Sequence, residues 1–272
     1  MKLATIRVDG GSRAVRIDGN VATAMDYDDV GALLQVKNWR TVAEEADGER
    51  HDAAKLDYAP VVPRPSKIIC VGLNYRTHIL ETGSPIPEYP TLFAKFAPSL
   101  IGAYDDIELS QAASNWDWET ELALVVSETV YRADEDRAGQ AIAGYTVAND
   151  ISARDWQMRT PQWLQGKTFA NTTPVGPWLV TADEAPLTGE ISCKVNGEYM
   201  QKGNVSDLVF TPAKIVSYIS TFMPLAPGDL VLTGTPGGVG MALDPPRFLT
   251  QGDAVVTAIE GIGECRNTCT FS

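Results

Sequence analysis

The segment Asn115-Trp116-Asp117-Trp118-Glu119-Thr120-Glu121-Leu122-Ala123-Leu124-Val125-Val126 sets two carboxylates two residues apart at the head of an apolar run. On a strand entered at Trp118, side chains repeat every two residues, so Glu119 and Glu121 point to one face. The apolar run that follows draws Glu121 toward buried surface. Two like charges side by side are unfavourable unless something positive sits between them. A hard divalent cation with carboxylate ligands answers that need. E-x-E is a short motif, however, and a solvated strand end with two surface glutamates is the plainer reading of the spacing alone. A further carboxylate stands in Ala148-Asn149-Asp150-Ile151, where the strand expected at Gly144 to Ala148 ends. Asp150 there either offers another oxygen ligand or closes an Asn-Asp turn.

Acid–base chemistry has one natural pair. The chain contains two histidines, His51 and His78. If Tyr75 to Glu81 forms a helical turn, His78 and Glu81 lie three apart and meet on one face. A carboxylate beside an imidazole fixes its tautomer and raises its basicity, as a general base requires. An exposed helical ion pair uses the same spacing. In Gln165-Gly166-Lys167-Thr168-Phe169, Lys167 is either an anion binder drawn into a pocket or a surface lysine. The run Leu232-Thr233-Gly234-Thr235-Pro236-Gly237-Gly238-Val239-Gly240 lets a backbone approach a ligand closely. It is not a nucleotide phosphate loop, because no Gly-Lys-Ser/Thr follows.

Holding these groups together requires short strands and a few helices. Lys2 to Val8 and Ala14 to Ile17 predict a hairpin around Asp9-Gly10-Gly11-Ser12. Val30 to Val36 and Val42 to Ala46 read as short helices. Ala59-Pro60-Val61-Val62-Pro63-Arg64-Pro65 is an extended, proline-stiffened connector. It divides a small N-terminal α+β domain, 1–60, from a larger domain, 61–272. Beyond it, β-like runs recur at Lys67 to Val71, Glu121 to Val126, Gly144 to Ala148, Trp178 to Thr181, Ile191 to Val195, Leu230 to Thr233 and Ala254 to Ile259. One helix is clear: Thr211 is a suitable N-cap, Pro212 takes the first helical position, and Ile215, Val216, Ile219 and Phe222 share a face. Many short strands with few helices predict an α+β, mostly β fold, a mixed β-sandwich or β-roll.

Composition narrows the function. At 272 residues, with 44% hydrophobic and 21% charged residues, the chain is long enough to bury a large core without staples. A formal net charge of -13 argues against nucleic-acid binding and against anionic membranes. It leaves an anionic substrate open, because a bound cation reverses the local field. No run of about 18 apolar residues marks a membrane span, and Met1 to Gly10 alternates like a strand instead of a signal peptide. Cys70, Cys193, Cys265 and Cys269 form no C-x-x-C pair and read as buried free thiols, which predicts a cytoplasmic protein.

The order of the motifs adds what spacing does not. Val71-Gly72-Leu73-Asn74-Tyr75 with His78 and Glu81, then Glu119-Thr120-Glu121, then Asn149-Asp150-Ile151-Ser152-Ala153-Arg154-Asp155-Trp156-Gln157, Gly166-Lys167-Thr168-Phe169, Val195-Asn196-Gly197-Glu198 and the glycine-rich run resemble the fumarylacetoacetate hydrolase family. The resemblance extends from about residue 60 to residue 272. It implies a mixed β-roll, a homodimer, and Mg²⁺ or Mn²⁺ (with Ca²⁺ as a further candidate) bound by Glu119, Glu121 and Asp150. His78 and Glu81 become a catalytic dyad on a lid segment, with Lys167 as a further catalytic group. Lys95, Arg154, Gln157, Gly234 and Thr235 become substrate contacts. The implied activity is hydrolysis of a carbon–carbon bond in an acylpyruvate-type 2-oxo acid through an enolate. Decarboxylation, isomerisation or hydration of a 2-oxo diacid from aromatic catabolism is the alternative, and a catalytically silent dimer a more distant one. Two departures bear on the pocket's shape: Phe96 follows Lys95 where relatives usually carry proline, and Trp116 and Trp118 precede the E-x-E. The rings of Trp116, Trp118, Trp156 and Trp163 suit either an apolar substrate tail or core packing.

Overall fold

In a computed structural model, which describes residues 1–81, 83 and 85–271, the chain opens with a hairpin. Its strands are β1 (Lys2–Val8) and β2 (Gly11–Asp18), turning at Asp9 and Gly10 as the sequence predicts. β3 (Val21–Ala24), α1 (Val30–Leu34), α2 (Trp39–Glu44) and β4 (Arg50–Asp52) follow. After the connector come β5 (Ile68–Gly72), α3 (Arg76–Glu81), β6 (Thr91–Lys95), β7 (Leu100–Ile101), β8 (Ile107–Leu109) and β9 (Trp116–Asp117). The middle of the chain forms β10 (Thr120–Val126), α4 (Glu135–Gln140), β11 (Ile142–Asn149), β12 (Ser152–Ala153), α5 (Arg154–Gln157), α6 (Leu164–Lys167) and β13 (Thr173–Thr181). The last part holds β14 (Glu190–Val195), β15 (Glu198–Asn204), α7 (Pro212–Phe222), β16 (Leu230–Leu232), β17 (Ala254–Ile259) and β18 (Gly263–Phe271).

The strands build a mixed 11-stranded sheet in the order β4-β3-β2-β1-β13-β11-β10-β16-β5-β6, with β7 paired to β13. A 5-stranded sheet in the order β15-β14-β17-β18-β8 packs beside it. This is the mostly β, mixed-sheet fold expected from the sequence. The leading strands extend the main sheet through β1, which pairs Lys2 with Val180 and Leu3 with Leu179 of β13.

β10 shows why the centre is rigid. It is buried along its whole length, so its alternate side chains serve two cores. Leu122, Leu124 and Val126 pack with Ile191, Ile259 and the α7 residues Ile215, Val216 and Ile219. Ala123 and Val125 pack on the other face with Leu3, Val30, Leu33 and Cys70. Each fully buried leucine contributes about 1.5–3 kcal/mol. α7 begins as predicted, with Thr211 accepting from the Lys214 N–H at 3.3 Å and Pro212 in the first turn. Phe222 departs from the predicted face: it is exposed and meets Tyr218 edge-on. All four cysteines are buried and free.

Candidate active site

The carboxylates converge where β10 and β11 meet at their open end. The two strands are antiparallel, with Glu121 opposite Ala148 and Thr120 opposite Asn149. Glu119 lies just before β10, not inside it as the alternation suggested. The Asn149 side chain takes over from the ladder there, its Oδ1 accepting the Glu119 N–H at 2.9 Å. The Asp150 N–H then donates to the Glu119 carbonyl at 2.8 Å, and Asn149 Nδ2 is held by Thr257 Oγ1 at 2.8 Å. One oxygen from each of Glu119, Glu121 and Asp150 lies within 4.8 Å of the others, and all three residues are buried.

Cations answer these carboxylates unevenly. Lys167 Nζ lies 2.7 Å from Glu119 Oε2 and 3.0 Å from Asp150 Oδ2. Lys95 Nζ reaches Asp150 Oδ1 at 2.5 Å, and Arg154 Nη2 lies 2.7 Å from Glu119 Oε1. Glu121 instead accepts the Gly234 N–H at 2.7 Å. The consequences for acidity follow. Burial works to raise the Glu119 carboxyl, but Lys167 and Arg154 outweigh it and hold the group down at about 2. Burial, followed by the charges of Asp150 and Glu119, pushes Glu121 well above the ordinary carboxylate range. A buried set of three hard oxygen donors, one of them short of positive charge, fits a divalent metal.

His78 Nδ1 sits 3.1 Å from Glu81 Oε2 on α3, so the i, i+3 pair forms as the spacing predicts. Glu81 also accepts from the Gly238 N–H at 2.9 and 3.2 Å, which ties α3 to the glycine-rich loop. His78, Glu119, Glu121, Lys167, Arg154, Gln157 and Thr235 share one cavity of about 230 Å³, whose remaining wall includes Phe93, Met158, Trp163 and Met241. A larger, open hollow of about 740 Å³ over β14 and β17 is lined by neither the triad nor the dyad.

Two of the expected substrate contacts take other posts. Lys95 stands behind Asp150, fully buried, and is not among the lining residues. Gly234 gives its N–H to Glu121. Among the tryptophans, Trp116 and Trp118 are core residues and Trp156 packs on Phe169, whereas Trp163 lines the cavity against Phe93.

Residue-by-residue reading overlooked two buried positioning groups. Asp117 accepts from the N–H groups of Trp118, Gly240 and Met241 and from Arg154 Nε, all at 2.6–3.0 Å. Arg154 passes this on to Gln157 Oε1 at 2.8 Å. The signal was present in Trp116-Asp117-Trp118, a charge between two large rings. Gln201 accepts the Thr120 N–H at 2.9 Å and donates to Thr235 Oγ1 at 2.8 Å. Nothing in the sequence around Gln201 marks it.

An acidic metal-type triad, a histidine–glutamate dyad and a lysine, with Glu119, Glu121, His78 and Lys167 lining one cavity, define an enzyme site on a mixed β-roll. The chain belongs to the fumarylacetoacetate hydrolase family. The model described as Fumarylacetoacetate (FAA) hydrolase C-terminal matches residues 67–270. The mitochondrial oxaloacetate tautomerase FAHD2A of Homo sapiens is 44% identical over 214 residues, 77% of this chain and 68% of that one. A fumarylacetoacetate hydrolase from the psychrophile Exiguobacterium antarcticum superposes with a TM-score of 0.90 at 29% identity, covering 100% of both chains. The 2-hydroxyhepta-2,4-diene-1,7-dioate isomerase of Mycobacterium marinum gives 0.82 at 31% identity, covering 100% of this chain and 99% of that one. The three relatives carry the names of a tautomerase, a hydrolase and an isomerase. Among the described residues, no helix is long and apolar enough to cross a membrane.

Proposed function

We propose that this chain is a divalent-metal-dependent enzyme that takes a 2-oxo acid through its enol form, and that its reaction is keto–enol tautomerisation of a small 2-oxo diacid such as oxaloacetate. The observation that carries the reading is that Glu119 and Glu121 of the triad and His78 of the dyad line one cavity, with Asp150 grouped behind the two glutamates and Glu81 on His78 Nδ1. A cation held by Glu119, Glu121 and Asp150, with Mg²⁺ or Mn²⁺ suited to such oxygen donors, would supply Lewis-acid stabilisation of charge on the 2-oxo oxygen. The Lys167 ammonium adds fixed positive charge at the same place. Glu81 holds His78 Nδ1, leaving Nε2 to exchange the proton. In the enol-to-keto direction the O–H bond breaks and a C–H bond forms at C3, with His78 carrying the proton. Thr235, steadied by Gln201, presents its hydroxyl to the substrate carboxylate.

The relative named oxaloacetate tautomerase, at 44% identity, supports this outcome, which needs a proton carrier and no attacking water. A second reading is hydrolysis of an acylpyruvate, which the same dyad supports. His78 would deprotonate a water that adds to the distal carbonyl, and the carbon–carbon bond would break to a carboxylic acid and pyruvate. A homodimer of the 29.4 kDa chain and a cytoplasmic site, in keeping with four free thiols, complete the proposal.

The test is a substrate panel with Mg²⁺, Mn²⁺ or EDTA. Oxaloacetate enol should convert to the keto form in a metal-dependent way, and His78→Ala should lose about 100-fold or more. Cleavage of acetylpyruvate to acetate and pyruvate, without enol conversion, would replace the first reading by the second.

A further inference from the structure

We infer that Asp207 is a positioning residue that holds the His78–Glu81 dyad in place over the carboxylate triad. The inference rests on the reading of His78 as the proton carrier. α3 is six residues long and buries one of them, Ile79. A helix so short has little stability of its own and no broad apolar face to fix it. Its place therefore depends on polar anchors at its two ends.

At the start of α3, the Ile79 N–H closes the first turn on the Tyr75 carbonyl at 2.9 Å. The Thr77 N–H is one of the amides that a helix start leaves without an intrahelical acceptor. Asp207, 130 residues away, caps it from outside: its Oδ2 accepts from the Thr77 N–H at 3.0 Å and from Thr77 Oγ1 at 2.9 Å. Thr77 directly precedes His78, so whatever fixes the first fixes the second. Asp207 is itself held on a rigid frame. The Val205 N–H is bound to the Gly189 carbonyl at 3.1 Å, and Val209 N–H to the Asn74 carbonyl at 2.8 Å. Asn74, fully buried, also accepts the Phe210 N–H at 2.7 Å. At the other end the anchor is Glu81 on the Gly238 N–H, but Glu81 belongs to the dyad. Asp207 stands outside the chemistry and is the anchor that binds Thr77, the residue next to His78. The Arg76 guanidinium lies 3.2 Å from the Leu208 carbonyl and 3.4 Å from the Asp207 carbonyl, backbone acceptors that a change of the Asp207 side chain retains.

Because the chain has two histidines, a His51→Gln background leaves His78 as the single imidazole seen by ¹⁵N NMR. In that background, Asp207→Ala should shift the His78 ring resonances, and Asp207→Asn and Asp207→Ser, which keep an acceptor oxygen, should restore them. With oxaloacetate and Mn²⁺, Asp207→Ala should lower kcat about 10- to 100-fold. KM and Mn²⁺ affinity should stay within about twofold of the parent. In a His78→Ala background, Asp207→Ala should cost nothing further. Unshifted His78 resonances in Asp207→Ala, or an equal loss in the His78→Ala background, would overturn the inference. Full turnover by His78→Ala would instead remove the proton-carrier reading, while the NMR comparison still decides whether Asp207 holds the ring.

Discussion

Among the buried carboxylates, position relative to two lysines and one arginine decides everything. Glu119 has both oxygens ion-paired and stays ionised, whereas Glu121 meets a backbone N–H and two like charges. In the metal-free protein Glu121 therefore holds its proton to higher pH than the unfolded chain does. Over the range from the ordinary carboxylate value up to its raised one, the native state binds more protons, so stability falls as pH rises. A cation replaces that proton, so metal binding should release it. Calorimetry of Mn²⁺ binding near neutral pH, in two buffers of different ionisation enthalpy, should show different heats. Equal heats would contradict the assignment. Residues of this kind are legible when their partners are close in sequence, as His78 and Glu81 are. Asp117 was not legible because its partners lie 37 and 123 residues away.

At the scale of elements, α6 carries Lys167 to the triad by lying tightly on α5. A Cβ on Gly166 would stand 2.4 Å from the Gln157 nitrogen and 2.6 Å from the Ala153 carbonyl oxygen. Gly166→Ala must therefore push α6 outward and take the Lys167 ammonium with it. A displacement near 1 Å at such a site costs about 100-fold in turnover, and the melting temperature should fall as well. Wild-type kcat in Gly166→Ala would mean that Lys167 works without this fit. Leu124→Ala, in the core behind the triad, should cost about 2–5 kcal/mol in urea unfolding. The strands legible in the sequence were the β1–β2 hairpin and the apolar runs β5, β10, β11, β14, β16 and β17. The first half of β13 was not, because Pro174, Gly176 and Pro177 read as breakers. The strand continues through them with an irregular register against β11. A strand entered at Trp118 would likewise include Glu119; β10 starts at Thr120 instead, and the Asn149 side chain that replaces the ladder hydrogen bond there is not visible in a local pattern.

At the scale of the molecule, a net charge of -13 opposes an anionic substrate unless the site reverses it. The buried cluster sets the carboxylates of Asp117, Glu119, Glu121 and Asp150 against the cations Lys95, Arg154 and Lys167. With all of them ionised, one negative charge is in excess, and a divalent cation turns that into one positive charge, a suitable field for a 2-oxo acid. The mostly β architecture was legible in the recurrence of short apolar runs, and the family in the order of the motifs. The choice between tautomerisation and hydrolysis was not, because both pass through the enol of a 2-oxo acid and use the same residues to protonate it. The measurement that bears most directly on that shared step is exchange of the C3 hydrogens of a simple 2-oxo acid in D₂O, followed by ¹H NMR. Exchange should be fast with Mg²⁺ or Mn²⁺, stop with EDTA, and stop in His78→Ala with metal bound; exchange that persists with EDTA or without the imidazole would contradict an enolising centre at Glu119, Glu121, Asp150 and His78.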